Sequence, residues 1–161
     1  MAVIVNVIKE VALRIAAAKT ATPALYKALF IGAYEQYRTQ GDYPIVIITP
    51  PSTSIDPDSM DKFTMDTMSF KVVLISNNLD ATQNSENILY KESGTLGALF
   101  FLEKIMNAID KNRTTSLSDT NLADACHDPI TYSSATDQSG DKIVSVITIN
   151  CNTARYVRGA R

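Results

Sequence analysis

The sequence contains no tryptophan, one histidine and two cysteines among its 161 residues. Cys126 and Cys151 cannot build a disulfide framework, or a four-ligand zinc site, by themselves. We therefore expect both cysteines to be reduced, packed thiols in a cytosolic setting. One histidine with two widely separated cysteines also offers no metal-ligand spacing, so the sequence predicts no metal site.

Positive and negative charges nearly balance, because the formal net charge is only −2. No global positive field attracts nucleic acid or an anionic membrane. The apolar start of the chain is interrupted by Lys9, Glu10 and Arg14 and has no basic segment before it. We therefore predict neither a signal peptide nor a membrane span. The length and the ordinary proportion of apolar residues are typical of one soluble domain with a sizeable core.

Motifs that carry chemistry are also missing. Cys126, His127 and Asp128 are adjacent, whereas catalytic partners normally come from separate parts of a fold. The stretch KESGTLG around Ser93-Gly94 is neither GxxxxGK[ST] nor GxGxxG, so a phosphate there is only weakly supported. The loop carboxylates lack the register of a calcium loop; they are Asp56, Asp58, Asp61, Asp137 and Asp141. We predict no enzyme activity, no catalytic residues, no cofactor and no metal.

Helical periodicity is clear in three places. Residues 3–19 place aliphatic side chains on one face, which predicts an amphipathic helix. Thr22-Pro23 is a helix-start signal, and Tyr26, Phe30, Ala33 and Tyr37 follow at helical spacing up to Gly41. This segment therefore predicts a second helix or a kinked continuation of the first. Residues Gly94 to Lys111 are apolar on most of their girth, which predicts a long covered helix.

Strand patterns alternate with these helices. Tyr43 to Thr49 is a β-branched run closed by two prolines, followed by a polar loop from Pro51 to Asp61. From Phe63 the alternation resumes as far as Ile75, in one long strand or in two parts separated by a bulge. Ile130 to Ala135 and Asp141 to Asn152 then predict a hairpin joined by residues 136–140.

The resulting prediction is an α+β fold with a mainly antiparallel sheet, N-terminal helices and one long apolar helix packed on one face, and a C-terminal β-hairpin. We expect a single domain over 1–161. Within it, residues 1–40 are predicted to be helical, 43–152 to hold the sheet and the long helix, and 153–161 to be a basic tail.

The chain resembles the tail terminator proteins of tailed bacteriophages. The resemblance lies in the order of elements, in YPIVIIT and SFKVVLIS, in the helix GTLGALFFLEKIMNAI and in the hairpin ITYSSATDQSGDKIVSVITINC. It covers most of the chain and depends on layout and size, because the family has no diagnostic catalytic or ligand motif. The resemblance implies a structural virion subunit, made in the host cytoplasm, that forms a homohexameric ring. Such a ring caps the tail tube and joins it to the head or neck.

The implied partners are other copies of the chain, the tail tube protein and the neck or connector proteins. DNA passes through the lumen without sequence-specific binding, and no membrane is involved. Edge strands and heterologous interfaces suit ring formation, so we expect contacts on the exposed faces of two long strands. The candidate interface residues are Met65, Met68, Val73, Ile75, Val144, Val146 and Thr148. Arg155, Arg158 and Arg161 are candidate contacts to a partner or to DNA in the lumen.

Two alternatives stay open. The added segment from Thr22 to Gln40 is absent from a minimal tail terminator, which keeps another neck or head-completion subunit as the near alternative. A small ligand-binding or enzymatic α+β domain is the more distant one. A deep pocket holding Cys126, His127 and a second carboxylate would favour that second alternative.

Overall fold

The computed structural model describes residues 3–21, 26–39, 43–55, 63–77, 98–110, 127–139 and 142–156. These stretches contain three helices and six strands. The helices are α1 (Val3–Ala21), α2 (Tyr34–Tyr37) and α3 (Ala98–Asp110). The strands are β1 (Ala28–Ile31), β2 (Ile45–Ile48), β3 (Ser52–Ile55), β4 (Phe63–Asn77), β5 (His127–Ser139) and β6 (Lys142–Tyr156).

The six strands form one mixed sheet in the order β1-β2-β4-β6-β5, with β3 paired to β4 off this path. Its centre is the antiparallel pair of β4 and β6, which stays in register from Phe63↔Tyr156 to Asn77↔Lys142. β5 runs antiparallel to β6, while β1 runs parallel to β2. The protein is therefore α+β, and its sheet is antiparallel except at β1.

One face of the sheet carries α1 and α3. Alternate residues of a strand point to the same face, and on this side β4 contributes Met68, Phe70, Val72 and Leu74, all of them buried. Aliphatic side chains from both helices complete this main core: Val7, Ile8, Val11, Ile15, Leu102, Ile105 and Ile109. Burying each such side chain contributes about 1.5–3 kcal/mol, so this face supplies most of the core.

The opposite face of the sheet has a smaller core under α2. Ile45 and Ile47 of β2 pack there with Val73 and Ile75 of β4. Partly buried side chains cover them, and these are mainly aromatic: Ala28, Phe30, Tyr34, Tyr37, Tyr43, Val144 and Val146. Apolar side chains therefore face both ways at the centre of the sheet, as expected of strands covered on both sides.

A buried ion pair within α1 also contacts the end of α3. The Arg14 Nε atom donates a hydrogen bond to the Glu10 Oε1 atom over 2.9 Å, one helical turn earlier. The Arg14 guanidinium also donates to the Ile109 carbonyl oxygen at 3.3 Å. The last carbonyl groups of a helix lack partners within that helix and attract positive charge. Arg14 therefore fixes the orientation of α3 relative to α1.

The structure corrects the predicted second helix. The segment from Thr22 to Gln40 is not one helix: β1 and the single-turn α2 occupy most of its described part, and residues 22–25 and 40 lie outside the description. Tyr26 and Phe30 do not share a helical face. The Tyr26 hydroxyl donates to the Ile15 carbonyl oxygen in the main core, whereas Phe30 lies in the smaller core. Pairing of β1 with β2 overrode the helical spacing.

Three further boundaries differ from the prediction. Part of the expected loop after Pro51 forms β3, because its backbone pairs with residues 66–69 of β4. The hairpin connection is shorter than the predicted residues 136–140, since Ser139 already pairs with Lys142. A two-residue connection is the commonest hairpin length. The expected tail begins later, because residues 153–156 extend β6 and pair with residues 63–66.

The α1 prediction is confirmed, and β4 is the single long strand among the two possibilities left open. The described part of α3 has thirteen residues, and it is amphipathic, since Glu103, Lys104, Asn107 and Asp110 are exposed. The longer helix that is apolar on most of its girth is therefore not shown, and residues 94–97 and 111 lie outside the described stretches. α2 lies on the opposite face, so the helices do not all share one face as predicted.

None of the helices in the described ranges is long and apolar enough to cross a membrane.

Replacing Arg14 should destabilise the protein strongly. Arg14→Met leaves the buried Glu10 carboxylate without this cation, which costs about 3–5 kcal/mol of unfolding free energy. Arg38→Met is the matched control, because its ion pair with Glu35 is exposed and should cost less than about 1 kcal/mol. Urea unfolding followed by circular dichroism measures both. Equal midpoints for the two variants would contradict the role given to Arg14.

Burial of Tyr26 should make stability fall at alkaline pH. Desolvation raises the pKa of the Tyr26 phenol, whereas an unfolded tyrosine ionises near pH 10. Above about pH 10 the unfolded chain therefore binds fewer protons than the folded one, and the unfolding free energy decreases as pH rises. Tyr26→Phe should cost about 1 kcal/mol at neutral pH, through loss of its hydrogen bond. That difference should shrink above pH 10 in paired urea titrations, and a constant difference would contradict the interpretation.

Candidate functional site

A groove of about 510 Å³ lies on the sheet face that carries α2. The sheet supplies Val73 from β4 and Val144 and Val146 from β6, and we call these three valines the groove floor. Tyr34 of α2 and Pro50, which follows β2, line the groove beside them. The volume lies within the range of sites that bind small ligands or a few side chains.

The break between β2 and β3 shapes one side of the groove. Ile48 pairs with Val72 and Ser52 pairs with Ser69, so residues 49–51 oppose only residues 70 and 71. Thr49 spans this offset: its backbone N–H donates to the Lys71 carbonyl oxygen over 2.9 Å, and its Oγ1 atom accepts from the Lys71 N–H over 3.0 Å. Pro50 and Pro51 cannot donate backbone hydrogen bonds, so the edge is interrupted here.

An aromatic cluster supports the Tyr34 side of the groove. The rings of Phe30 and Tyr37 stack with centroids 4.8 Å apart and planes 11° from parallel. The Tyr43 hydroxyl donates to the Arg38 carbonyl oxygen over 2.7 Å. The Lys142 ammonium lies 4.6 Å from the centre of the Tyr43 ring, a cation–π distance. These contacts tie the α2 segment to the sheet and so hold Tyr34 over the groove floor.

Gly32 allows α2 to turn over the sheet. Its φ angle is +153°, a conformation that other residues rarely adopt, and a Cβ atom there would lie 2.5 Å from the Tyr37 Cε2 atom. Its N–H donates to the Ile48 carbonyl oxygen over 2.9 Å, which prolongs the pairing of β1 with β2. The chain thus turns sharply from the sheet edge into α2 at this residue.

Among the described residues, Lys71 is the cation at the polar end of the groove. Lys71 is exposed, and the other polar residues that line this end are Thr49, Ser52 and Ser69. Thr148 is the cross-strand partner of Lys71 on β6. Among the described residues that line the groove, none is Asp or Glu. The groove therefore combines an apolar floor with a positive end, in a protein whose formal net charge is −2.

No protein-family model matches the chain, and no curated protein matches it.

The groove brings together some of the predicted interface residues and separates others. Val73, Val144 and Val146 form its floor, and half-buried Thr148 lies beside its polar end. Ile75 is on the same face but is buried in the smaller core. Met68 points to the opposite face and is fully buried in the main core, so it is not on an exposed face as predicted, because strand residues alternate. For Met65 only the backbone pairing with Ala154 is described.

Of the arginine candidates, the structure describes only the backbone of Arg155. Arg155 lies in β6, where its backbone pairs with Thr64, and its side chain is outside the description. Arg158 and Arg161 lie outside the described residues altogether. Their suggested contact to a partner or to DNA stays a prediction.

The residues considered for chemistry do not line the groove within the described ranges. His127 begins β5, where its backbone pairs with Asn152, and its side chain is not described. Cys126, Ser93 and four of the five loop carboxylates fall outside the described ranges. Asp137 is exposed in β5, and Cys151 is a buried cysteine that forms no disulfide within the described residues. No described group of three or more His, Cys, Asp or Glu side chains could hold a metal ion.

The sequence does not indicate that Tyr34, Pro50 and Lys71 belong to one site. Pro50-Pro51 after a β-branched run indicated a break in the strand. It did not indicate that the chain would pair with β4 again after the break. The alternation along β4 puts Lys71 on the face opposite to Phe70 and Val72. Only the tertiary fold shows that this face meets α2.

Gly32→Ala should loosen the Tyr34 side of the groove. The positive φ angle disfavours alanine, and the new methyl group would push against the Tyr37 ring, at a combined cost of about 1–3 kcal/mol. Ala33→Ser, at the neighbouring exposed position, should change stability by less than about 0.5 kcal/mol. Thermal unfolding and near-ultraviolet circular dichroism of the tyrosines measure the effect. Unchanged melting of Gly32→Ala would contradict this account of the turn.

Proposed function

We propose that this protein is a structural subunit of a tailed-phage virion that forms a ring. In this proposal the ring caps the tail tube and joins it to the head or neck, as in tail terminator proteins. The resemblance in element order supports the proposal, and so does an α+β layout that ends in a long hairpin. The proposal also includes the predicted longer apolar helix that begins at Gly94. The protein acts through surfaces shared with other copies and with neighbouring virion parts, and performs no catalysis.

The observation that carries this proposal is the exposed edge strand β5. In the part of the chain that the structure describes, β5 pairs with β6 on one side and with no strand on the other. All five side chains from Ser133 to Asp137 are exposed, so neither face of this stretch is covered. Edge strands with unpaired backbone groups are ready templates for pairing with another chain.

The strand directions allow this edge to join copies head to tail. β1 and β5 are the two ends of the strand order, and the successive pairings make them antiparallel to each other. β5 of one copy can therefore pair antiparallel with the β1 edge of the next copy. A head-to-tail contact of this kind generates a closed ring when its rotation closes. Ile31 of β1 is 52% exposed and would be covered by such a contact.

The near alternative is another neck or head-completion subunit with a different ring partner. Both roles use the same ring contact, so position in the particle separates them. Immunogold labelling of virions distinguishes the head-proximal end of the tail tube from the connector.

The oligomeric state tests the proposal directly. Mass photometry and negative-stain electron microscopy of the purified protein should show a ring, expected to be a hexamer. Ser133→Lys combined with Ala135→Lys should shift it to monomers, because two lysine charges on β5 would lose water when β1 of the next copy covers this edge. Both positions are exposed, so the monomer should keep its circular dichroism spectrum.

Glu103→Lys combined with Asn107→Lys, on the exposed face of α3, is the matched control and should leave the ring intact. A wild-type protein that remains monomeric at high concentration and within isolated virions would refute the ring. A ring that survives the β5 substitutions would exclude β5 as the contact.

A further inference from the structure

We propose that the groove binds an extended peptide segment of a partner protein, in which an aliphatic or aromatic side chain stands next to a carboxylate. This site lies on the sheet face that carries α2, away from the backbone edge of β5. Its occupation therefore does not depend on ring formation.

The groove floor specifies the apolar part of the ligand. Val144 and Val146 are only partly buried, and they adjoin Tyr34 and Pro50 in a groove of about 510 Å³. The sheet continues beyond them to the exposed Ala135 of β5, the cross-strand partner of Val146. An apolar side chain laid on these valines would remove apolar surface from water on both partners. The open apolar floor therefore favours an aliphatic or aromatic side chain.

Lys71 accounts for the carboxylate in the proposed peptide. Its ammonium is exposed at the polar end of the groove, and no described carboxylate lines the groove with it. Asp137 is not among the described residues that line the groove, and its β6 partner Val144 is about 13 Å along the strand from Thr148, the partner of Lys71. A bound carboxylate would thus be attracted to Lys71 at the polar end of the groove.

The neighbouring strand break favours recognition by side chains. Pro50 and Pro51 have no N–H group, and the Thr49 N–H is already bonded to the Lys71 carbonyl oxygen. A peptide that approaches this edge cannot add to the sheet as a continuous strand, which would need a row of free backbone donors. Specificity then comes from the apolar floor and the lysine.

Selection from a yeast-displayed library of random dodecapeptides tests the proposal with the purified full chain. Enriched sequences should combine Asp or Glu with an adjacent aliphatic or aromatic residue. Lys71→Met should weaken their binding about fivefold. Lys71→Glu should weaken it about tenfold or more and shift the selected residue to Lys or Arg. Lys104→Glu, an exposed charge reversal on α3, should leave affinity within about twofold.

Val146→Arg tests the floor and should abolish enrichment of the same peptides. Because Val146 is partly buried, circular dichroism must show that the Val146→Arg variant is folded. If it does not fold, the variants at exposed Lys71 still test the site. Methyl NMR should place the bound peptide at Val73, Val144 and Val146. Failure to enrich any peptide, or equal binding to wild type and Lys71→Glu, would overturn the proposed site. Neither result would bear on whether the protein forms a ring.

Discussion

The long antiparallel pairing of β4 with β6 supports every other part of the sheet. It keeps one register from Phe63↔Tyr156 to Asn77↔Lys142, a length of about 50 Å at the usual rise per strand residue. β2 and β3 dock one after the other along the outer edge of β4, and β5 docks along the outer edge of β6. A shift by one residue would exchange the two faces of β4, placing Lys71 in the main core and Phe70 in the groove.

The two faces of this pairing have different roles. Towards α1 and α3 the side chains are mostly apolar and buried, and Arg14, paired with Glu10 within α1, also donates to the Ile109 carbonyl oxygen of α3. Breaking such a pair is costly, because one charge is then left without its partner. Towards α2 the cover is partial: aromatic side chains protect Ile75, whereas Val144 and Val146 stay partly accessible. The stable face anchors the sheet, and the partly open face is available for binding.

Two kinds of surface therefore lie on one scaffold. The β5 edge presents backbone groups and suits contacts between identical copies, whereas the groove presents side chains and suits a different partner. The proposed joining subunit would need both properties, since it would have to recognise copies of itself and the components that it connects. The break at Pro50-Pro51 interrupts the backbone edge beside the groove. Binding there therefore depends on side chains, whereas the β5 edge offers backbone groups.

Local periodicity was sufficient for much of this fold. Aliphatic residues at helical spacing define α1, and strict alternation defines β4 and β6, because in each case one face must be buried. Alternation put Val144 and Val146 on one face of their own strand, and the register with β4 then brings Val73 beside them. It failed for Tyr26 and Phe30, whose spacing fits a helix equally well, because pairing with a distant strand decided their conformation. The Glu10–Arg14 spacing was visible as an i,i+4 pair, but its burial was not.

The sequence by itself determined which strand and helix faces are apolar, since that depends only on neighbouring residues and backbone geometry. Only the tertiary structure decided that β1 joins the sheet, that β3 resumes pairing after the prolines, and that Tyr34, Pro50, Lys71 and three valines meet in one groove. These features depend on contacts between residues far apart in the chain, and such contacts form only when competing local preferences are overcome by burial and backbone pairing.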